Sequence, residues 1–132
     1  DRWPNKIKSC IEFSVEQAHK FFAGSDLFLM PSIFEPCGQS QIFSMRYGTI
    51  PIVYHTGGLR DTIVDYPKKG SSGFIFYEFT KEKLIEKMDH SIQIFNDKNK
   101  WKKITKRAMK KNFSVIKMAE QYINLYKKII SN

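Results

Sequence analysis

Cysteine is scarce in this 132-residue sequence: Cys10 and Cys37 stand 27 positions apart, with no Cys-x-x-Cys pair and no histidine beside either. Two thiols so placed form neither a disulfide framework nor a zinc site, so a reducing, cytosol-like compartment and no bound metal are expected. Long apolar runs are missing as well. None approaches the roughly 20 residues that span a bilayer, which excludes a helical membrane anchor within this stretch. The opening residues, Asp1-Arg2-Trp3-Pro4-Asn5-Lys6, do not follow the basic-then-apolar order of a signal peptide. No methionine opens the chain, and a fragment of a longer protein is expected. What the sequence does hold is 42% hydrophobic and 14% aromatic residues, too many for a disordered chain. The length suits one domain, able to hide roughly 65–70% of the surface of its unfolded chain.

The net charge of +9 is unevenly placed. Residues 1–80 carry eight basic and eight acidic side chains, whereas residues 81–132 carry fourteen basic and five acidic. Eight basic residues fall between Lys98 and Lys111. Such a run can bind a polyanion. It serves equally as the solvated face of a helix whose buried side is marked by Trp101, Ile104 and Met109. No nucleic-acid motif accompanies the charge, so nucleic acid is not an expected partner.

Along the chain, elements alternate. Residues 7–13 are rich in apolar and β-forming types and predict a strand. Ser14, followed three positions later by Gln17, forms a capping box for a helix running to about Ala23 and stopped by Gly24. The apolar run Asp26-Leu27-Phe28-Leu29-Met30, closed by Pro31, predicts a strand buried on both faces. A helix over 39–47 ends at Gly48, a strand follows over 49–54, and a short helix lies near 59–64. Residues 67–73 predict a surface loop and 73–77 a fourth strand. Thr80 caps a helix to about Phe95, with Leu84, Met88, Ile92 and Phe95 on one stripe. Two more helices are expected near 98–111 and 115–131. Strands alternating with helices imply an α/β fold, a Rossmann-like parallel sheet flanked by helices, with a helical C-terminal tail.

In open parallel sheets ligands bind beyond the carboxyl ends of the strands. Two loops stand at such ends. One runs from Pro31 through Glu35-Pro36-Cys37-Gly38 to Gln41, the other from His55 through Thr56-Gly57-Gly58 to Asp61. Gly38 lets the backbone approach a ligand, and the amides of Gln39 and Ser40 are unpaired at a helix N-terminus, an arrangement suited to a diphosphate. Glu35, just before it, can accept hydrogen bonds from sugar hydroxyls. A cap and turn with an exposed Glu35 would have the same pattern.

A longer string narrows the choice. The stretch Ser25-Asp26-Leu27-Phe28-Leu29-Met30-Pro31-Ser32-Ile33-Phe34-Glu35-Pro36-Cys37-Gly38 is followed by Met45-Arg46-Tyr47-Gly48-Thr49-Ile50-Pro51-Ile52-Val53 and Thr56-Gly57-Gly58-Leu59-Arg60-Asp61-Thr62. Together they resemble bacterial glycogen synthases and plant starch synthases, which are retaining glucosyltransferases of the GT-B fold. The resemblance extends over essentially all of residues 1–132 and implies part of the C-terminal, nucleotide-sugar-binding domain of such an enzyme. It implies ADP-glucose as donor and transfer of glucose, with retention, to the non-reducing end of an α-1,4-glucan. By resemblance, Glu35 contacts the donor glucose, while Cys37, Gly38, Gln39 and Ser40 bind glucose and diphosphate. Phe13 falls where the family has an aromatic that stacks on adenine, with core packing as its other use. Thr56, Gly57 and Gly58 are expected to line the same cleft, more as wall than as catalyst. Neither cofactor nor metal is implied, because fixed amide and cationic donors stabilise the departing diphosphate in such sites.

The sequence departs from its relatives at Ile33, where many bacterial members have Arg; at Gln39, usually Leu; and at Val115, typically Trp. Phe43 stands where other GT-B enzymes place a second Glu, a feature glycogen synthases share. The resemblance matches only the last third of the family's length. The acceptor-binding N-terminal domain that engages the glucan primer, and the upstream phosphate-binding Arg and Lys, are therefore expected to lie outside this chain. On that reading the fragment alone is inactive, and its uncovered sheet edge favours self-association. A bacterial cytoplasm is the expected setting, with a plastid as the alternative. Two other functions fit less of the sequence: a GT-B transferase for another nucleotide sugar, and a non-catalytic domain binding polyanions or a partner through 98–111.

Overall fold

Four of the six described helices start beside a side chain that takes up an orphaned amide. In the computed structural model, which describes residues 5–131, the order is α1 (Val15–Gly24), β1 (Leu27–Met30), α2 (Ser40–Tyr47), β2 (Ile50–Tyr54), α3 (Gly57–Thr62), β3 (Phe74–Phe76), α4 (Lys81–Asn96), α5 (Lys98–Met109) and α6 (Val115–Ile130). Ser14, Thr80, Asp97 and Ser114 each accept a hydrogen bond from the third amide beyond them, at the starts of α1, α4, α5 and α6. Only half of the expected capping box forms: Gln17 donates its amide to Ser14 Oγ, but its Oε1 accepts from Cys10 Sγ. Gly48 ends α2 at a φ of +87°, a left-handed stop that any side chain would strain.

The three strands are parallel in the order β1-β2-β3, with Met30 beside Val53 and Val53 beside Ile75. The central strand is the core: Ile50, Pro51, Ile52 and Val53 are all buried. Against it pack α2, α4 and α5. Met45 comes from α2, Ile94 from α4, and Ile104 and Ala108 from α5. Leu59 and Ile63 come from α3 and its end. The basic helix is thus part of the domain, its apolar face inward and its lysines toward solvent.

Five expectations need correction, the first being the surface loop at 67–73, whose Ser71 and Ser72 are fully buried. Residues 7–13 form no strand; Ile11 and Phe13 are almost wholly exposed. A β-forming run is stabilised only where it pairs and packs, and none of the three described strands pairs with it. The strand expected at 26–30 is not buried on both faces, because β1 lies at the sheet edge with Leu29 41% exposed. On α4, Ile92 points to solvent while Ser91 and Ile94 are buried. Each step of four residues overshoots a turn by about 40°, so two steps from Leu84 carry Ile92 off the stripe. By the same geometry Ala108, not Met109, continues the buried side of α5 from Ile104.

The C-terminal helical tail is present as α6, which buries none of its residues. No helix among the described residues is long and apolar enough to cross a membrane.

Candidate functional site

The ends of β1 and β2 lie side by side, so the two glycine-containing loops leave the sheet together. What fixes the first loop is a set of hydrogen bonds to its carbonyls. Thr56 Oγ1 donates to Ile33 O at 3.1 Å, and Gly58 N donates to Glu35 O at 2.9 Å. Gln41 Nε2 lies 3.1 Å from both Cys37 O and Gly38 O. Pro36 suits its place, since the peptide whose carbonyl Gly58 holds has no N–H to satisfy. The carbonyls of the loop are therefore gathered toward α3 and Gln41.

The glycines of the second loop permit this contact. A Cβ on Gly57 would collide with the Glu35 carbonyl oxygen, and one on Gly58 with that of Cys37. Gly57 and Gly58 act as buttresses behind the Glu35–Gly38 backbone, which refines the expectation that they form a cleft wall. Thr56, although it precedes α3, uses its hydroxyl on Ile33 rather than as a cap.

Gly38 has a φ of +72° and Gln39, the residue before α2, is right-handed helical. Alternation of this kind turns successive amides into one concavity. Among the described residues, the amides of Gly38, Gln39 and Ser40 find no acceptor in the protein. Glu35, three residues before Gly38, is half-buried, and Ser32 Oγ donates to its Oε2 at 3.4 Å. Cys37 presents an exposed thiol.

The structure thus brings together Glu35, Cys37, Gly38, Gln39, Ser40, Thr56, Gly57 and Gly58. Phe13 stands just before the start of α1 and is 96% exposed. Its alternative use in core packing is excluded. His19 and His55 are engaged by neighbours, His19 with the Tyr47 hydroxyl at 3.1 Å and His55 against the Tyr77 ring.

Sequence reading passed over Gln41 and Thr62. Gln41 is fully buried, and its Nε2 also lies 3.3 Å from Thr62 Oγ1, which donates to Gly58 O at 2.7 Å. The signal available was helical spacing: Gln41, Ser44 and Met45 are the buried face of α2, and a glutamine on such a face requires partners. Lys111, at the end of α5, donates to Thr62 O at 3.3 Å, and burial holds its ammonium below the usual lysine range.

Comparison with known proteins matches this geometry to one family. The family described as Glycosyl transferases group 1 matches residues 5–111. The chain is 45% identical over 131 residues to a glycogen synthase of Clostridium botulinum (strain Alaska E43 / Type E3), covering 97% of this chain and 27% of that protein. It is 44% identical over 134 residues to a glycogen synthase of Kosmotoga olearia, covering 100% and 28%. Among solved structures, the catalytic domain of starch synthase IV from Arabidopsis thaliana, bound to ADP and acarbose, superposes with a TM-score of 0.79 at 34% identity, covering 92% of this chain and 26% of that one. The chain therefore spans about a quarter of the length of the relatives it matches. It carries the elements on which the loop of Glu35–Ser40 is built, and it belongs to the group 1 glycosyltransferases.

Proposed function

We propose that this chain is the donor-binding part of a glycogen or starch synthase, which transfers glucose from ADP-glucose to the non-reducing end of an α-1,4-glucan with retention. The observation that carries the reading is the set of three unpartnered amides at Gly38, Gln39 and Ser40, in the same loop as the half-buried Glu35. Negative charge grows on the diphosphate as the glycosidic bond breaks. Fixed amide donors at a helix start stabilise that charge without reorganising. Glu35 accepts hydrogen bonds from the glucose hydroxyls and is the catalytic residue of this reading. Cys37 and Ser40 contact the sugar and diphosphate, and exposed Phe13 stacks on the adenine.

Four-fold greater length in the relatives leaves room for a glucan-binding part, so this chain by itself is expected to turn over no glucan. The reading also includes self-association through the exposed edge at β1, and a bacterial cytoplasm or a plastid as the setting.

Calorimetric titration tests the reading. Saturable ADP binding is expected, tighter than UDP binding, and weakened roughly 5- to 150-fold in Phe13→Ala, the range of about 1–3 kcal/mol for stacking a base on an aromatic ring. Binding of neither nucleotide, or equal binding of both, contradicts it.

A further inference from the structure

We propose that Gln41 is a positioning residue: it aims the amides of Gly38 and Gln39 outward, at the diphosphate of the donor. The inference deepens the donor-site reading and rests on it.

In a trans peptide the carbonyl and the following N–H point in opposite directions. Gln41 Nε2 draws Cys37 O and Gly38 O inward, each at 3.1 Å. Those two peptides carry the N–H groups of Gly38 and Gln39, which consequently point away from Gln41. The third amide is set by the helix itself. Gln39 O accepts from Ile42 N and Phe43 N at 2.9 Å, which turns Ser40 N–H back along the helix axis toward the loop. One side chain and one helix turn thus give three consecutive donors a common direction.

Two further observations show that Gln41 is built in rather than incidental. Its Nε2 also reaches Thr62 Oγ1, and that hydroxyl donates to Gly58 O, so the same amide joins the donor loop to the glycine buttress on α3. Its Oε1 is buried and receives no hydrogen bond, a cost that leucine or methionine at this position would avoid. Gly38 fits around it: a Cβ there would lie 2.5 Å from Gln41 Oε1 and 2.9 Å from Nε2.

The test compares ADP with adenosine on the 132-residue chain, wild type against Gln41→Leu. Adenosine lacks the diphosphate and reads only the nucleoside part of the site. Loss of the aimed amides is expected to weaken ADP binding about tenfold or more while leaving adenosine within about twofold, as suits hydrogen bonds to a charged group. A cooperative melt establishes that the variant is folded, and Gln41→Met, uncharged, of similar size and without the donors, serves as the second variant. ADP bound as tightly by these folded variants as by the wild type overturns the role of Gln41 alone. Equal losses for ADP and adenosine also overturn it, since they mark a merely structural residue. A wild type that binds no ADP overturns the donor-site reading, and the role of Gln41 with it.

Discussion

Gly58→Ala is expected to abolish most ADP binding while leaving a folded chain. A Cβ at this position meets backbone: it would overlap Cys37 O and lie 2.6 Å from Cys37 Cα and 2.7 Å from Cys37 C. No side chain can rotate aside to relieve such a contact. Either α3 or the Glu35–Gly38 loop must move, and the hydrogen bond from Gly58 N to Glu35 O is stretched in either case. A hydrogen bond to a charged group is worth about 1.5–3 kcal/mol, so losing one as the loop shifts is predicted to cost about 10- to 150-fold in ADP affinity. Gly24→Ala is the control, because nothing lies within 4 Å of its Cβ position and its φ is not positive. Titration of the two variants side by side decides the matter. Equal affinities for Gly58→Ala and Gly24→Ala would show that the loop does not depend on the glycine buttress.

The second large effect is on stability. Phe74→Ala is expected to destabilise the domain by about 3–5 kcal/mol, as for other fully buried aromatics. Phe74 is 0% exposed, opens the three-residue strand β3, and packs against the rings of Tyr66 and His90. Removing its ring leaves a cavity bounded by the sheet and α4, neither of which can collapse into it without breaking the register with Ile52. Against a typical total of roughly 5–15 kcal/mol, this is a large share. A thermal melt should shift down by at least about 10 °C. A shift of only one or two degrees would place Phe74 outside the cooperative core.

Much of this was legible in the sequence, and the reasons are local. The helix starts at Ser14, Thr80, Asp97 and Ser114, and the glycine stop at Gly48, depend on neighbours within three or four residues. The three strands were readable because apolar runs closed by Pro31 or opened just after Gly48 or Gly73 leave little choice of structure. The strand expected at 7–13 failed for a non-local reason, since pairing depends on a neighbour that a local pattern does not specify. The edge position of β1 was hidden for the same reason. At the site, the Glu35–Ser40 loop could be found from its motif, whereas its support could not. That Gln41 and Thr62 meet across 21 residues, and that Gly57 and Gly58 back onto Glu35 and Cys37, are facts of packing.

In the proposed donor site, the amides of Gly38, Gln39 and Ser40 receive the diphosphate. The most direct test is an amide-resolved NMR titration of the isotope-labelled chain with ADP. The resonances of these three amides are expected to shift first and saturate together, while those of Lys102 and Lys103 on the basic helix stay in place. Shifts concentrated on the lysines of α5, or no shift at Gly38, Gln39 and Ser40 under saturating ADP, would contradict it.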